Sequence, residues 1–226
     1  MTMGGTKPVT LTKPFYMGVF QVTQKQYKLV TGNDPSSYKG DMRPVERVSW
    51  NTIRGDSSTY NWPTVTTVDP NSFIGKLQVK TGLNFDLPTE SQWVYACKAG
   101  TTSAFNNGGS AENDMKTLGR YSGNRNDGRG GYSEHTTVGS YFSNACGLYD
   151  MHGNVYEWCL DWYSSINSDS VTDWVGASSG YQRVLGGGSW NADSFRSRSA
   201  YRIYDNPSYN SNGICGFRLS RTLNDE

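Results

Sequence analysis

Glycine and other turn-forming residues occur along the whole chain and limit how long any helix or strand can be. The 226 residues include 26 glycines, and asparagine, serine and aspartate are also abundant. Glycine accepts positive φ angles, while the short polar side chains hydrogen-bond to nearby backbone in turns. We therefore expect an α+β fold with short elements, long ordered loops and little regular secondary structure.

Aromatic side chains supply the material for a core in a chain that is only 35% hydrophobic. The sequence contains seven tryptophans, fifteen tyrosines and eight phenylalanines, and large rings bury much apolar area per residue. No internal repeat or low-complexity tail divides the chain. Residues 1–226 are therefore predicted to form a single domain.

Capping residues mark four helix starts in the first hundred residues. These starts lie at Thr23, Ser49, Pro70 and Thr89. Glycine ends three of the helices, at Gly32, Gly82 and Gly100. The fourth helix is the clearest, because Gln92 can complete a capping box with Thr89. The helices from Pro70 and Thr89 are expected to be the longest.

Strand-like segments are short and lie mostly in the second half of the chain. The exception is an opening strand over residues 15–20. Later strands are predicted over residues 138–142, 155–162, 183–185 and 217–221.

Charge, hydropathy and cysteine spacing exclude several classes of function. A formal net charge of +1 gives no bulk attraction to nucleic acid or to anionic lipid. No apolar run is long enough to span a membrane, and the first residues carry no hydrophobic signal region. The four cysteines show no Cys-x-x-Cys spacing, which argues against zinc and against a redox pair. Buried thiols are expected, with a disulfide as the alternative.

A segment of unusual composition lies between two anchors, Val184–Trp190 and Gly216–Leu219. Residues 191–215 contain no Lys, Glu, Gln, Met or Trp, which composition alone produces in roughly one segment in 60 of this length. An asparagine codon that ends in a pyrimidine, randomised at its two adenines, never encodes those five residues or a stop. Residues 184–219, called the cassette below, are therefore predicted to form a hypervariable binding surface between fixed anchors.

Short motifs follow one another in a fixed order over nearly the entire chain. They are Phe15–Gly18, Pro44–Val45 with Val48–Trp50, Leu87–Glu90 with Trp93, Gly147–Trp158, Gly187–Trp190, Arg198–Arg202 and Gly216–Leu219. Together they resemble the formylglycine-generating-enzyme-type (sulfatase-modifying factor) domain. The resemblance implies a C-type-lectin-like fold that is poor in regular secondary structure.

The enzymes of that family oxidise a sulfatase cysteine through a copper-binding cysteine pair placed just after the Gly-Gly-Ser-aromatic motif. Here the corresponding residues Asn191–Phe195 contain no cysteine, and Cys215 alone cannot supply two thiolates. No copper is therefore expected. Related iron-dependent sulfoxide synthases need a histidine triad, whereas this chain has only His135 and His152. An oxidase or a vestigial enzyme domain is kept as the alternative function.

The resemblance also implies a structural calcium site. Its ligands would be the side chains of Asp150 and Glu157 and the carbonyl groups of Gly153 and Val155, since loop oxygens suit a hard cation. The alternative is that the two carboxylates bond turn amides or an arginine. A second family site, further upstream, is expected to be lost because it would place Arg120 beside the cation.

A cassette at the place of the catalytic cysteines resembles the variable proteins of diversity-generating retroelements. The candidate variable, ligand-binding positions are Ala192, Asp193, Ser194, Phe195, Ser197, Tyr201, Ile203, Tyr204, Asp205, Ser208, Tyr209, Ser211, Asn212 and Cys215. Phe195, Tyr204 and Tyr209 are expected to be exposed and to contribute most of the contact energy.

This resemblance predicts a non-enzymatic protein that binds a macromolecular or cell-surface ligand, in the first place a protein. No nucleic acid and no membrane span within this chain are expected. Some variable proteins resemble surface-displayed lipoproteins. The chain is therefore expected at the cell surface or outside the cell, anchored by lipid through a segment that it does not contain.

Overall fold

The computed structural model describes residues 2–3, 7–131, 133–210 and 213–223. Short helices and strands alternate there with long loops, which confirms the α+β expectation. The helices are α1 (Gln24–Thr31), α2 (Trp50–Arg54), α3 (Phe73–Thr81), α4 (Glu90–Lys98) and α5 (Glu112–Met115), with a 3-10 turn at Ser122–Asn124. The strands are β1 (Thr2–Met3), β2 (Lys7–Thr10), β3 (Phe15–Met17), β4 (Tyr156–Trp162), β5 (Val171–Thr172), β6 (Arg183–Gly186), β7 (Ile203–Asp205), β8 (Cys215–Gly216) and β9 (Ser220–Thr222).

Three of the four predicted helix starts are confirmed, because Thr23, Ser49 and Thr89 each accept a hydrogen bond from a backbone amide of the first helical turn. The start at Pro70 is wrong. Ser72 caps α3 instead, and its hydroxyl accepts a bond from the Gly75 amide at 3.0 Å. Residues 69–72 form a separate turn before the helix.

A four-stranded sheet in the order β7-β6-β4-β8 organises the C-terminal half. Strand β6 runs antiparallel to β4, with Leu185 opposite Trp158, and β8 runs parallel to β4 on its other side, with Gly216 opposite Glu157. Both anchors of the cassette are therefore fixed to the same central strand. Two smaller groupings, β1-β2-β5 and β3-β9, lie outside this sheet.

Three predicted strands differ from the structure. The opening strand, β3, ends at Met17 and does not extend to residue 20. Residues 138–142 form turns, because their amides bond to loops and not to a neighbouring strand; the Val138 amide, for example, donates to the Met42 carbonyl. In the segment 217–221, β9 begins only at Ser220. Strand β7, inside the cassette, was not expected.

The core is built largely from aromatic residues, as the composition predicts. Trp50, Trp158, Phe73 and Phe217 are fully or almost fully buried in one cluster. The buried indole groups have hydrogen-bond partners; the Trp158 indole N–H, for example, donates to the Val48 carbonyl at 3.0 Å. This satisfies the rule that a buried donor needs a partner. None of the helices in the described ranges is long and apolar enough to cross a bilayer.

Candidate functional site: the cassette and its supports

The cassette begins with a close backbone crossing that only glycine allows. Gly188 has a φ of 77°, and a Cβ atom there would lie 2.2 Å from the Ser197 hydroxyl oxygen. Trp190 follows and is buried, with its indole N–H donating to the Gly213 carbonyl at 2.9 Å. The first anchor is thereby tied to the far end of the cassette.

His152 holds the next turn of the cassette from below. It is completely buried; its Nδ1 lies 2.7 Å from the Ser197 carbonyl oxygen, and its Nε2 accepts the Asn106 amide at 3.1 Å. Burial lowers the pKa of His152 to about 4, so the ring is neutral and its Nδ1–H donates. His152 is therefore a structural support.

The three aromatic residues predicted to be exposed are exposed, with 54%, 43% and 42% of the surface of Phe195, Tyr204 and Tyr209 accessible. Two of them rest on other rings. The Phe195 ring meets Tyr201 edge-on at 5.4 Å, and Tyr204 lies 4.2 Å from Tyr163. Their contact surfaces are therefore supported from beneath.

The other candidate positions divide by burial. Asp193 and Ser208 are exposed, and Ser194, Tyr201, Ile203 and Asp205 are partly exposed. Ser211 and Asn212 lie outside the described residues.

For three positions the prediction of a ligand contact is wrong. Ala192, Ser197 and Cys215 are buried, and a ligand cannot reach them. Ala192 packs in the aromatic core, Ser197 lies beneath Gly188, and Cys215 pairs in β8 with Tyr156 of β4.

All four cysteines are free thiols, and Cys97, Cys159 and Cys215 are buried while Cys146 is exposed. Burial raises the pKa of Cys97 to about 12, and it raises the pKa of Cys159 as well. Thiolate is the form that binds metal or attacks a substrate. Cys97 and Cys159 are therefore in their unreactive thiol form.

The four predicted calcium positions lie around a side chain that the sequence did not indicate, and Asp150 contributes its backbone carbonyl there instead of the predicted carboxylate. The side-chain nitrogen of Gln21 donates to the carbonyl oxygens of Asp150 at 3.3 Å, Gly153 at 3.3 Å and Val155 at 3.0 Å, and to the Glu157 carboxylate at 2.9 Å. Gln21 precedes these residues by more than a hundred positions, so no local pattern links them. An amide nitrogen thus lies at the centre of the oxygens.

Both oxygens of Glu157 are already bonded to cationic or neutral donors. The Arg218 guanidinium donates to them at 2.6 and 2.7 Å, and the Trp93 indole N–H donates at 2.7 Å. Glu157 and Arg218 are completely buried. The alternative in which Glu157 bonds an arginine is therefore the observed arrangement.

As they are arranged, these groups do not fit a calcium ion. Calcium needs oxygen ligands at about 2.3–2.6 Å around an open centre, and the Gln21 amide occupies that centre. Asp150 accepts the Gly139 amide through Oδ2 at 2.7 Å, and burial raises its pKa to about 6. Calcium binding here stays a prediction, and it requires the Gln21 amide to leave the cluster.

In the upstream loop, Arg120 lies among the loop oxygens as Gln21 does in the cluster around Glu157. Its buried guanidinium donates to the carbonyl oxygens of Asn124 at 2.8 Å, Arg125 at 3.0 Å and Glu134 at 3.3 Å, and to the Asp127 carboxylate at 3.1 Å. A permanent side-chain cation thus bonds the loop oxygens. The absence of a metal ion from this loop stays an expectation.

Comparison with known proteins assigns this scaffold to the sulfatase-modifying type. The family model described as sulfatase-modifying factor enzyme 1-like domain matches residues 3–223, and the chain belongs to this family. It is 31% identical over 210 residues to "Chaperone protein LppX" of Paenibacillus barcinonensis, covering 81% of this chain and 71% of that protein.

Two further comparisons bear on function. The chain is 29% identical over 201 residues to the formylglycine-generating enzyme of Mus musculus; the match covers 84% of this chain but only 47% of the enzyme. The solved structure of Treponema denticola variable protein 1 superposes with a TM-score of 0.78 at 27% identity, covering 95% of this chain and 86% of that chain. The fold is therefore shared by an enzyme and by a variable protein.

Proposed function

We propose that this chain is a non-enzymatic ligand-binding protein whose contact surface is the cassette, residues 184–219, diversified by a retroelement. The observation that carries the proposal is the separation of the cassette into two sets of residues. Trp190 and Phe217, in the anchors, are buried in the scaffold, whereas Phe195, Tyr204 and Tyr209 project into solvent. Changes at the exposed positions therefore leave the core intact.

The pairing of strand β7 supports this proposal. Its residues pair with β6, with Tyr204 opposite Val184, and a strand ladder is made by backbone groups whatever the side chains are. The exposed side chain of Tyr204 can therefore be exchanged without loss of the ladder.

The composition of the exposed surface suits a protein ligand. Tyrosine gives a large amphipathic contact area at low entropy cost, and serine and asparagine provide adaptable hydrogen bonds. The exposed charges Asp193 and Arg196 pair with each other at 3.2 Å, so the surface has no basic excess that would favour nucleic acid. Display at the cell surface, through a lipid-anchored segment outside this chain, is part of the proposal.

The similarity to the formylglycine-generating enzyme makes an oxidase the function to be excluded. Copper–thiolate chemistry needs accessible thiolates at close range. The raised pKa of buried Cys97 and the absence of cysteine from Asn191–Phe195 both favour binding over oxidation.

Two experiments test the proposal. The 3′ end of the gene is compared with any imperfect repeat nearby; we expect mismatches only where the repeat has adenine, and mainly in codons for exposed cassette positions. The absence of both a repeat and a reverse transcriptase gene would refute the retroelement origin. Copper-dependent oxidation of a Cys-x-Pro-x-Arg peptide by the purified chain would refute the non-enzymatic assignment.

A further inference from the structure

A concave site lies apart from the cassette. It is a cleft of about 800 Å³ between the loop 61–68, the segment that leads into α4, and residues 173–175. The residues that line it all lie outside 184–219. Small-molecule sites in proteins usually have volumes of about 300–1,000 Å³, so the cleft is large enough for a small ligand.

Aromatic rings form much of the apolar wall of the cleft. Trp62, Trp174 and Phe85 line it, together with the aliphatic side chains of Leu87 and Leu160. The Trp62 indole is held in place, because its N–H donates to the backbone of residue 175 at 3.3 Å. The Trp62 ring therefore keeps a fixed position in this wall.

Polar groups of both kinds share the lining with these rings. The Asp86 carboxylate, whose side chain is 23% accessible, offers acceptor oxygens. The Thr222 hydroxyl accepts a bond from Gln92 at 2.8 Å, so its own hydrogen can be donated to another group. The exposed Asn84 amide both donates and accepts. A ligand with groups that do both matches this lining.

The charges around the cleft cancel. Arg54, which is buried, neutralises Asp86 at 3.0 Å, and Lys13 and Asp173 supply one charge of each sign among the lining residues. The lining therefore carries no net charge that would attract a phosphate, a carboxylate or a cationic amine. The lining therefore favours an uncharged ligand.

We propose that this cleft binds a neutral saccharide. The apolar C–H face of a pyranose ring packs on the indole of Trp62 or Trp174, which line the cleft, and its hydroxyl groups, which both donate and accept, bond Asp86, Thr222 and Asn84. This site is independent of the cassette and adds a second ligand of different chemistry.

The test uses saturation-transfer NMR and calorimetry on the purified chain with maltose, cellobiose and N,N′-diacetylchitobiose. We expect at least one of them to bind saturably with a Kd of about 1 mM or tighter. Asn84→Ala, at an exposed position, should weaken that binding by about five- to tenfold, and Trp174→Leu should abolish it. Tyr204→Ala in the cassette is the matched control and should leave it unchanged.

Three results overturn the proposal. One is a lack of saturable binding of all three disaccharides. Another is binding that Tyr204→Ala removes and Asn84→Ala leaves intact. The third is preferential binding of inorganic phosphate, lysine or adenosine at the cleft, tested as competitors. Thermal melts test whether Trp174→Leu folds. If it does not fold, the effect of Asn84→Ala on disaccharide binding decides whether the cleft is the binding site.

Discussion

Replacement of Gln21 tests whether a side-chain amide performs the structural task of an ion. The perturbations are Gln21→Leu, which removes the donor, and Gln21→Glu, which places a carboxylate among the carbonyl oxygens and beside Glu157. Because Gln21 is completely buried, water cannot replace the lost donor. The four oxygens then lose hydrogen bonds without compensation.

The magnitude follows from the two N–H groups of an amide. Each unmade hydrogen bond to a buried acceptor costs about 1–3 kcal/mol, so Gln21→Leu should lower the free energy of unfolding by about 3 kcal/mol. In a domain of this size, that corresponds to a fall in Tm of about 6–12 °C. The Tm of Gln21→Glu in EDTA should fall at least as far, because its added negative charge is buried close to Glu157.

The assay is thermal unfolding in millimolar EDTA and in millimolar calcium. The Tm of the native chain should not differ between the two buffers, and neither should the Tm of Gln21→Leu. Calcium should raise the free energy of unfolding of Gln21→Glu, by about 2.7 kcal/mol when the calcium concentration exceeds the Kd a hundredfold. Gln24→Glu is the matched control: Gln24 is also buried and donates to two carbonyl groups, and we expect no recovery in calcium.

Two results would refute the reasoning about Gln21. If the native chain melts earlier in EDTA and calcium restores its Tm, the ion displaces the amide and the calcium prediction is correct. Equal Tm values for the native chain and Gln21→Leu would show that the amide carries no stability.

Other predictions concern the cassette, pH dependence and thiol reactivity. Phe195→Ala and Tyr204→Ala should each cost no more than about 1 kcal/mol in urea unfolding; a loss of folding would contradict a replaceable surface. Cys215→Tyr, at a buried position, should cost more than about 3 kcal/mol, and a display library that accepts large residues there would count against it. Burial raises the pKa of Asp161 to about 8, above an unfolded value of about 3.9, so its contribution to stability falls as the pH rises from about 4 to about 8. Asp161→Asn should remove that decline. Identical pH dependence of the unfolding free energy in the native chain and in Asp161→Asn would disprove this role of Asp161. Only Cys146 should react with a thiol reagent in the native state, as mass spectrometry can check; rapid labelling of a buried thiol would contradict this.

Local signals predicted local structure well. A helix cap is decided by residues three positions apart, so the box of Thr89 and Gln92 was readable from sequence. The start of α3 was not, because Pro70 and Ser72 both suit a first turn, and the turn closed by the Ser72 amide on Asp69 decides between them. Strand β7 was missed because its three residues take their strand form from pairing with β6.

Long-range contacts account for the rest. The oxygens near Glu157 were predicted to converge, but Gln21 reaches them across 136 positions of sequence, which no spacing rule covers. A codon-based argument predicts which positions vary in the gene, yet it carries no information on burial. It therefore included Ala192 and Cys215, which the core encloses.

The placement of β6 and β8 on either side of β4 fixes the distance between the two ends of the cassette at about two strand spacings, roughly 10 Å. The entropy of closing a loop across a fixed gap rises slowly with its length, by about 0.6 kcal/mol for each doubling. The scaffold can therefore carry inserts of different lengths as well as different sequences. The binding surface can therefore differ in size and shape as well as in its side chains.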